Sequence, residues 1–115
     1  MTTNINNLIN EIETLIYESK MANARSMAAR ETISMRKLQE SDQRFEFLNI
    51  MSHEAVNANL ATRKASDKLQ CLCGMFGISY EPTRDTKMVE ENLDYVKRMW
   101  KVMCDSAIEH GFTIK

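Results

Sequence analysis

Glycine and proline are scarce in this sequence. Only three glycines and one proline occur among 115 residues, and neither type occurs between Met1 and Leu72. Folds that contain β-sheets need many turns, and turns use glycine and proline more than other residues. The scarcity of both therefore predicts an all-α protein with a few long helices, and the length is that of one domain, residues 1–115.

Long apolar runs and an excess of one charge are also missing. No apolar run approaches the ~20 residues of a membrane span, and "MTTNINNLINEIETL" lacks the basic start of a signal peptide. Fifteen basic and sixteen acidic residues are spread evenly, so no basic stripe supports nucleic-acid binding. Three cysteines, an odd number, favour free thiols in a reducing compartment. We therefore expect a cytoplasmic protein without a membrane span.

The first forty residues carry apolar side chains at helical spacing. Their stripe consists of Ile5, Leu8, Ile12 and Leu15. This spacing predicts an amphipathic N-terminal helix over residues 1–40. Further along, small residues that allow close helix approach replace the large ones: Ala22, Ala24, Ala28 and Ala29. Ser41 and Asp42 favour helix N-caps and predict a break near Ser41, although a helix that continues to residue 73 remains the alternative.

Two further helices are predicted over residues 42–73 and 84–110, separated by Gly74, Gly77 and Pro82. The last helix has a regular heptad, formed by Val89, Leu93, Val96, Trp100, Met103 and Ala107. A tight turn near residue 80 makes these two helices an antiparallel hairpin. In that register, Trp100 lies opposite Leu60, Leu93 lies opposite Asp67, and Ala107 lies opposite His53.

The apolar stripes exceed what one copy is expected to cover. We therefore predict a dimeric helical bundle, and a protein partner that binds to Ile5, Leu8, Ile12, Leu15 and Trp100. The function that this favours is a non-enzymatic regulator, an inhibitor or adaptor; many phage-encoded inhibitors of host machinery are helical proteins of this size. A structural or assembly subunit is one alternative.

Nine methionines suit an adaptable binding groove, because the thioether side chain is flexible. However, Met21, Met35, Met99 and Met103 lie at or beside stripe positions, so we expect them to fill the core.

Motifs for catalysis or metal binding are largely missing. Cys71 and Cys73 have C-x-C spacing, which on a helix separates the side chains by roughly 200°. Cys104 is predicted too far along the last helix to complete a zinc site. No G-x-S-x-G or glycine-rich phosphate loop occurs, and Asn57 stands where H-E-x-x-H requires its second histidine. We expect no metal, no cofactor and no catalytic residues.

One short stretch does carry chemistry. "FLNIMSHEAVN", residues 47–57, resembles the phosphoacceptor motif (H-box) of sensor histidine kinases, which lies in a dimeric helical hairpin. The resemblance implies that His53 accepts a phosphoryl group, that Glu54 holds the proton on its other ring nitrogen, and that Asn57 positions a water. Ala58 stands where the family usually has proline, and the motifs of the kinase nucleotide-binding domain do not occur. The resemblance thus implies phosphate relay, or imitation of a kinase hairpin.

Overall fold

The computed structural model describes residues 2–36 and 42–111. These ranges contain three helices and no strand: α1 over Thr2–Met35, α2 over Asp42–Met75 and α3 over Thr86–Glu109. The predicted all-α fold with a long first helix is confirmed. Ser41 lies outside the described residues, but the end of α1 at Met35 and the start of α2 at Asp42 show two separate helices. None of the described helices has the length and apolarity that crossing a membrane requires.

Helices α1 and α2 form an antiparallel hairpin. Near the start of α1, Lys68 Nζ lies 3.0 Å from Glu11 Oε2. Near its end, Arg25 Nε lies 3.1 Å from Glu54 Oε2, and Ser26 Oγ donates a 2.9 Å hydrogen bond to the Met51 carbonyl. Because these pairs join opposite ends of the two helices, α1 and α2 are the two arms of the helical hairpin.

Helix α3 runs in the same direction as α2. At its start, the Thr86 and Thr62 hydroxyls are 2.9 Å apart. Toward its other end, the Trp100 ring packs edge-on against Phe76, just beyond α2, with 5.9 Å between ring centroids. These contacts correct the predicted register of 42–73 against 84–110, which had placed Trp100 opposite Leu60.

The register differs from the predicted one because the connection between α2 and α3 is a long return segment and not a tight turn. Gly77 has a φ of +68°, which glycine adopts without a side-chain clash, and it ends α2. The chain then passes back along α2, where Ser66 Oγ lies 2.8 Å from Tyr80 Oη and accepts a 3.0 Å bond from Thr83 N. Burial raises the pKa of the Tyr80 hydroxyl, which favours its protonated form. Helix α3 consequently begins beside the middle of α2.

The hydrophobic core occupies one half of the bundle. Helix α1 contributes isoleucines, α2 contributes leucines and α3 contributes the first half of its heptad. The buried members are Ile5, Ile9, Ile12, Ile16, Ala65, Leu69, Leu72, Cys73, Val89, Leu93 and Val96. The heptad predicted for the third helix therefore packs inward as far as Val96.

The offset of α3 leaves its last residues beyond the bundle. Trp100 Nε1 donates a 3.1 Å hydrogen bond to Asn6 Oδ1, only about one turn from the start of α1 at Thr2. Residues 101–109 of α3 continue for about 13 Å, at a rise of about 1.5 Å per residue. This end of α3 has at most one turn of α1 beside it.

We expect Leu69→Ala to lower the free energy of unfolding by about 2–5 kcal/mol, because Leu69 is fully buried where all three helices meet. The matched control is Leu60→Ala on the same helix, whose side chain is 46% exposed. That variant should cost less than about 1 kcal/mol. Urea unfolding followed by circular dichroism measures both, and equal losses would contradict this placement of the core.

Candidate functional site

The residues predicted to bind a partner lie within the bundle itself. Ile5 and Ile12 are buried, and Leu8 and Leu15 are half-buried against the core. Trp100 is half-buried, with its ring on Phe76 and its indole nitrogen on Asn6. Helices α2 and α3 of the same chain thus cover this stripe. The large apolar side chains that stay exposed lie on other parts of the bundle.

One uncovered apolar surface lies on the projecting end of α3. We call it the α3 end surface and define it by Tyr95, Met99, Val102 and Met103. Val102 is 66% exposed, and Tyr95 and Met103 are each 50% exposed. Together with the stem of Arg98 these side chains line a shallow depression of about 360 Å³. Such a concentration of large apolar side chains on one helix is typical of a docking surface.

The α3 end surface follows from a second heptad stripe in the same helix. Met88, Tyr95 and Val102 are separated by seven residues each, and Met99 lies between the last two. Seven residues are almost two helical turns, so these side chains share one face. This face is adjacent to the one that carries Val89, Leu93 and Val96. The sequence contains this second stripe, but the heptad beside it is longer and more regular.

The methionines also differ from expectation. Met35 is 81% exposed, Met103 is 50% exposed and Met21 is 40% exposed, whereas all three were expected to fill the core. The expectation was wrong for two reasons. Met21 and Met35 lie outside the face of α1 that packs against the core, and Met103 lies on the part of α3 that extends past the bundle. Exposed methionines can adapt to differently shaped partners, since the thioether chain is flexible and polarisable.

A second uncovered apolar region lies at the end of the hairpin that α3 does not reach. We call it the hairpin tip and define it by Phe45, Leu48, Met51 and Val56. Phe45 is 59% exposed and Val56 is 56% exposed, while Leu48 and Met51 are half-buried. No residue from 43 to 57 is fully buried. Nearly half of α2 therefore has no fully buried side chain within one copy.

Small side chains explain why the tip buries so little. On α1 the buried positions in this half are Ala22, Ser26 and Ala29. They bring the helices close together, so that Ser26 Oγ reaches the backbone of Met51. The prediction that alanines allow close approach is confirmed for Ala22 and Ala29, whereas Ala24 and Ala28 face solvent. Closely spaced helices leave their larger side chains at the margins of the contact.

The predicted phosphoacceptor residues lie on α2 within this half. His53 and Asn57 are exposed and one helical turn apart. Glu54 is half-buried and turned toward α1, where its Oε2 lies 3.1 Å from Arg25 Nε without hydrogen-bond geometry. An ion pair across the hairpin thus engages Glu54. The returning antiparallel helix that the H-box resemblance implies is replaced by α3, which begins further along and runs parallel to α2.

The cysteines do not converge. Cys71 is exposed, Cys73 is buried and Cys104 is half-buried, and all three are free thiols. The predicted divergence of Cys71 and Cys73 around α2 is confirmed. Burial raises the pKa of the Cys73 thiol, which disfavours the thiolate that a metal or an electrophile needs. Within residues 2–36 and 42–111, no three His, Cys, Asp or Glu side chains are grouped as metal ligands.

Comparison with known protein families, with curated proteins and with solved structures gives no match. The H-box resemblance is therefore neither supported nor opposed by relatives, and it stays a prediction.

Proposed function

We propose that this protein is a small non-enzymatic regulator, an inhibitor or adaptor, that binds another protein through the α3 end surface. The observation that carries the proposal is the exposure of Tyr95, Val102 and Met103 on a helix that projects past its own bundle. Burying such side chains stabilises association by about 25 cal/mol for each Å² of apolar area. The three free thiols support a cytoplasmic setting.

The form of the α3 end surface favours a helical partner segment. Its residues repeat every three or four positions, which is the spacing that an amphipathic helix uses to pack side by side with another. Arg98 lies at the edge of the surface, where its guanidinium group would form an ion pair with a carboxylate of the partner. An amphipathic helix with acidic flanks is the segment that this surface fits best.

The same reasoning supports a homodimer through the hairpin tip. Two tips that pack face to face would form a four-helix bundle, in which each copy covers the apolar residues of the other. Such an interface is isologous and closes after two copies. It also leaves both α3 end surfaces free, because α3 projects from the opposite end of the hairpin. An assembly subunit, a further alternative, would instead form oligomers larger than a dimer.

We expect Val102→Asp to weaken partner binding by at least tenfold, on the order of 1.4 kcal/mol, because it places a charge in the centre of the apolar surface. The partner is first captured from the native cell and identified by mass spectrometry. Its affinity for the purified wild-type and variant proteins is then measured by isothermal titration calorimetry.

The matched control for this variant is Ile108→Asp. Ile108 is 61% exposed on the same helix, and its spacing of six residues from Val102 puts it roughly 120° away. It should leave the affinity unchanged. If both variants bind as the wild type does, the α3 end surface is not the docking site.

The hairpin tip gives a separate prediction. Phe45→Glu should convert a dimer into a monomer, because it places a carboxylate inside the apolar contact between two tips. Light scattering coupled to size-exclusion chromatography measures the mass. Tyr17→Glu is the control, since Tyr17 is a similarly exposed aromatic residue on α1, at 62%. A wild-type protein that stays monomeric at high micromolar concentration contradicts the dimer.

Phosphate relay is a second candidate, favoured by the exposure of His53 beside Asn57. A neutral imidazole is a good nucleophile near pH 7. In the transfer, a ring nitrogen of His53 forms a bond to phosphorus, and the bond from phosphorus to the donor's leaving group breaks. The ion pair between Glu54 and Arg25 would hold α1 and α2 in register around this residue.

We expect phosphoramidate, a small phosphoryl donor, to leave an acid-labile phosphate on the wild-type protein and none on His53→Ala. The control is His110→Ala, which removes the other histidine of the chain. Intact-mass spectrometry before and after acid treatment measures the phosphate. Equal labelling of the two histidine variants, or no labelling of the wild type, removes this candidate.

A further inference from the structure

A polar cleft opens where the three helices meet, next to the beginning of α3. Its volume is about 370 Å³, which lies in the size range of small-molecule sites. Helices α1 and α2 supply most of its floor, and the start of α3 with Arg84, two residues before it, supplies one wall. The residues that matter for its chemistry are Ser19, Lys20, Thr62, Arg84, Thr86 and Lys87.

Three hydroxyl groups form the floor, and one arrangement of their protons leaves the outermost hydroxyl free to donate. The Ser19 and Thr62 hydroxyls, both buried, are 2.6 Å apart, and Thr62 Oγ1 is 3.0 Å from the Ala58 carbonyl. With Ser19 donating to Thr62 and Thr62 donating to Thr86, both buried protons are used within the floor. Thr86 Oγ1 lies 2.9 Å from Thr62 Oγ1 and is only half-buried. Its proton is free to point into the cleft.

The walls are predominantly cationic. Lys20, Arg84 and Lys87 line the cleft together with a single carboxylate, that of Glu90, which is paired with Lys20. Arg84 and Lys87 have no ion pair within the described part of the chain. The nearby Asp85 carboxylate caps α3 by accepting a 3.0 Å bond from the Lys87 amide. Because the whole chain has a net charge of −1, this local excess of cations is not a reflection of general basicity.

An apolar depression of about 240 Å³ adjoins the cleft. It is lined by Val56, Leu60 and Arg63, and it shares Asn59 and Arg84 with the cleft as common walls. Val56 is 56% exposed and Leu60 is 46% exposed, so both can accept an apolar group. Two guanidinium planes beside apolar side chains are suited to stacking against a flat ring.

We infer that this composite site binds a small organic phosphate. The phosphate would lie in the cleft, where Arg84 and Lys87 supply charge and Thr86 donates its spare hydrogen bond. The flat or apolar part of the ligand would lie against Val56 and Leu60. Arginine pairs with phosphate through two parallel N–H groups, and such charge-assisted bonds are about twice as strong as neutral ones.

Binding at this site would join α3 to the hairpin. At its beginning α3 is held to α1 and α2 by the floor hydroxyls and by the ion pair between Lys20 and Glu90. A phosphate held by residues of α3 and of the segment before it, with its ring on α2, adds a further link. Ligand that binds only the folded chain stabilises it by RT ln(1 + [L]/Kd). This inference stands apart from partner binding, because the cleft and the α3 end surface share no residue. Val56 belongs both to the hairpin tip and to the apolar depression, whereas Leu60 belongs to the depression alone.

The probes are phenyl phosphate, which combines a phosphate with a flat ring, and inorganic phosphate. Each is titrated into the full chain at constant ionic strength, and amide and methyl shifts are followed by NMR. We expect saturable shifts of Thr86 and Lys87 with both probes. Phenyl phosphate should bind at least threefold tighter and should also shift the methyl groups of Val56 and Leu60.

Two variants and one control complete the test. Arg84→Gln should weaken phenyl phosphate about tenfold, since it removes a charge-assisted contact. Thr86→Val should weaken it severalfold without a change in charge. Arg98→Gln removes the same charge from a distant part of α3 and should leave the affinity unchanged. Circular dichroism verifies that every variant is folded.

Three results would overturn the inference. The first is the lack of saturable shifts with either probe, and the second is an equal loss in Arg84→Gln and Arg98→Gln, which indicates general charge attraction. The third is equal affinity for the two probes, which excludes a role for the apolar depression. None of these results depends on whether the α3 end surface binds a protein.

Discussion

The structure depends on burial of the isoleucine face of α1 between the leucines of α2 and the valines of α3. Ile12, Leu69 and Val89 are fully buried where the helices meet. This contact extends only from Ile5 to Ile16 along α1, because alanine and serine follow. The apolar driving force is thus concentrated in one half of the hairpin, and it determines where α3 can pack.

The position of α3 explains both uncovered surfaces. A third helix gains little by packing against the half of the hairpin that is lined by Ala22, Ser26 and Ala29, so α3 lies against the isoleucines and extends past them. At one end of the molecule, α3 extends past the hairpin, with at most one turn of α1 beside it. At the other end, α1 and α2 pack against each other without a third helix. Each end exposes large apolar side chains that an association could bury.

The polar junction marks the boundary between these halves. Beyond Ile16, Ser19 begins a run of buried small and polar residues, and its hydroxyl joins those of Thr62 and Thr86. Buried hydroxyls are costly unless each finds a partner, so they restrict how α3 can begin. Ser66 acts similarly one turn along, where it fixes the return segment through Tyr80 and Thr83. Apolar contacts therefore decide which half of the hairpin α3 packs against, and polar contacts fix its register there.

The sequence by itself determined the helices. The scarcity of glycine and proline, the stripe from Ile5 to Leu15 and the heptad from Val89 onward are local patterns, and local patterns specify helices and their apolar faces. Only the tertiary structure decided which helices pair and in which direction. Residues 76–85 contain turn signals that fit a tight reversal equally well, and hydrogen bonds to Ser66, distant in sequence, select the longer return. The pairing of the helices also buried the predicted binding stripe and left the second apolar face of α3 exposed. Periodicity identifies an apolar face, but it does not specify which helix packs against that face.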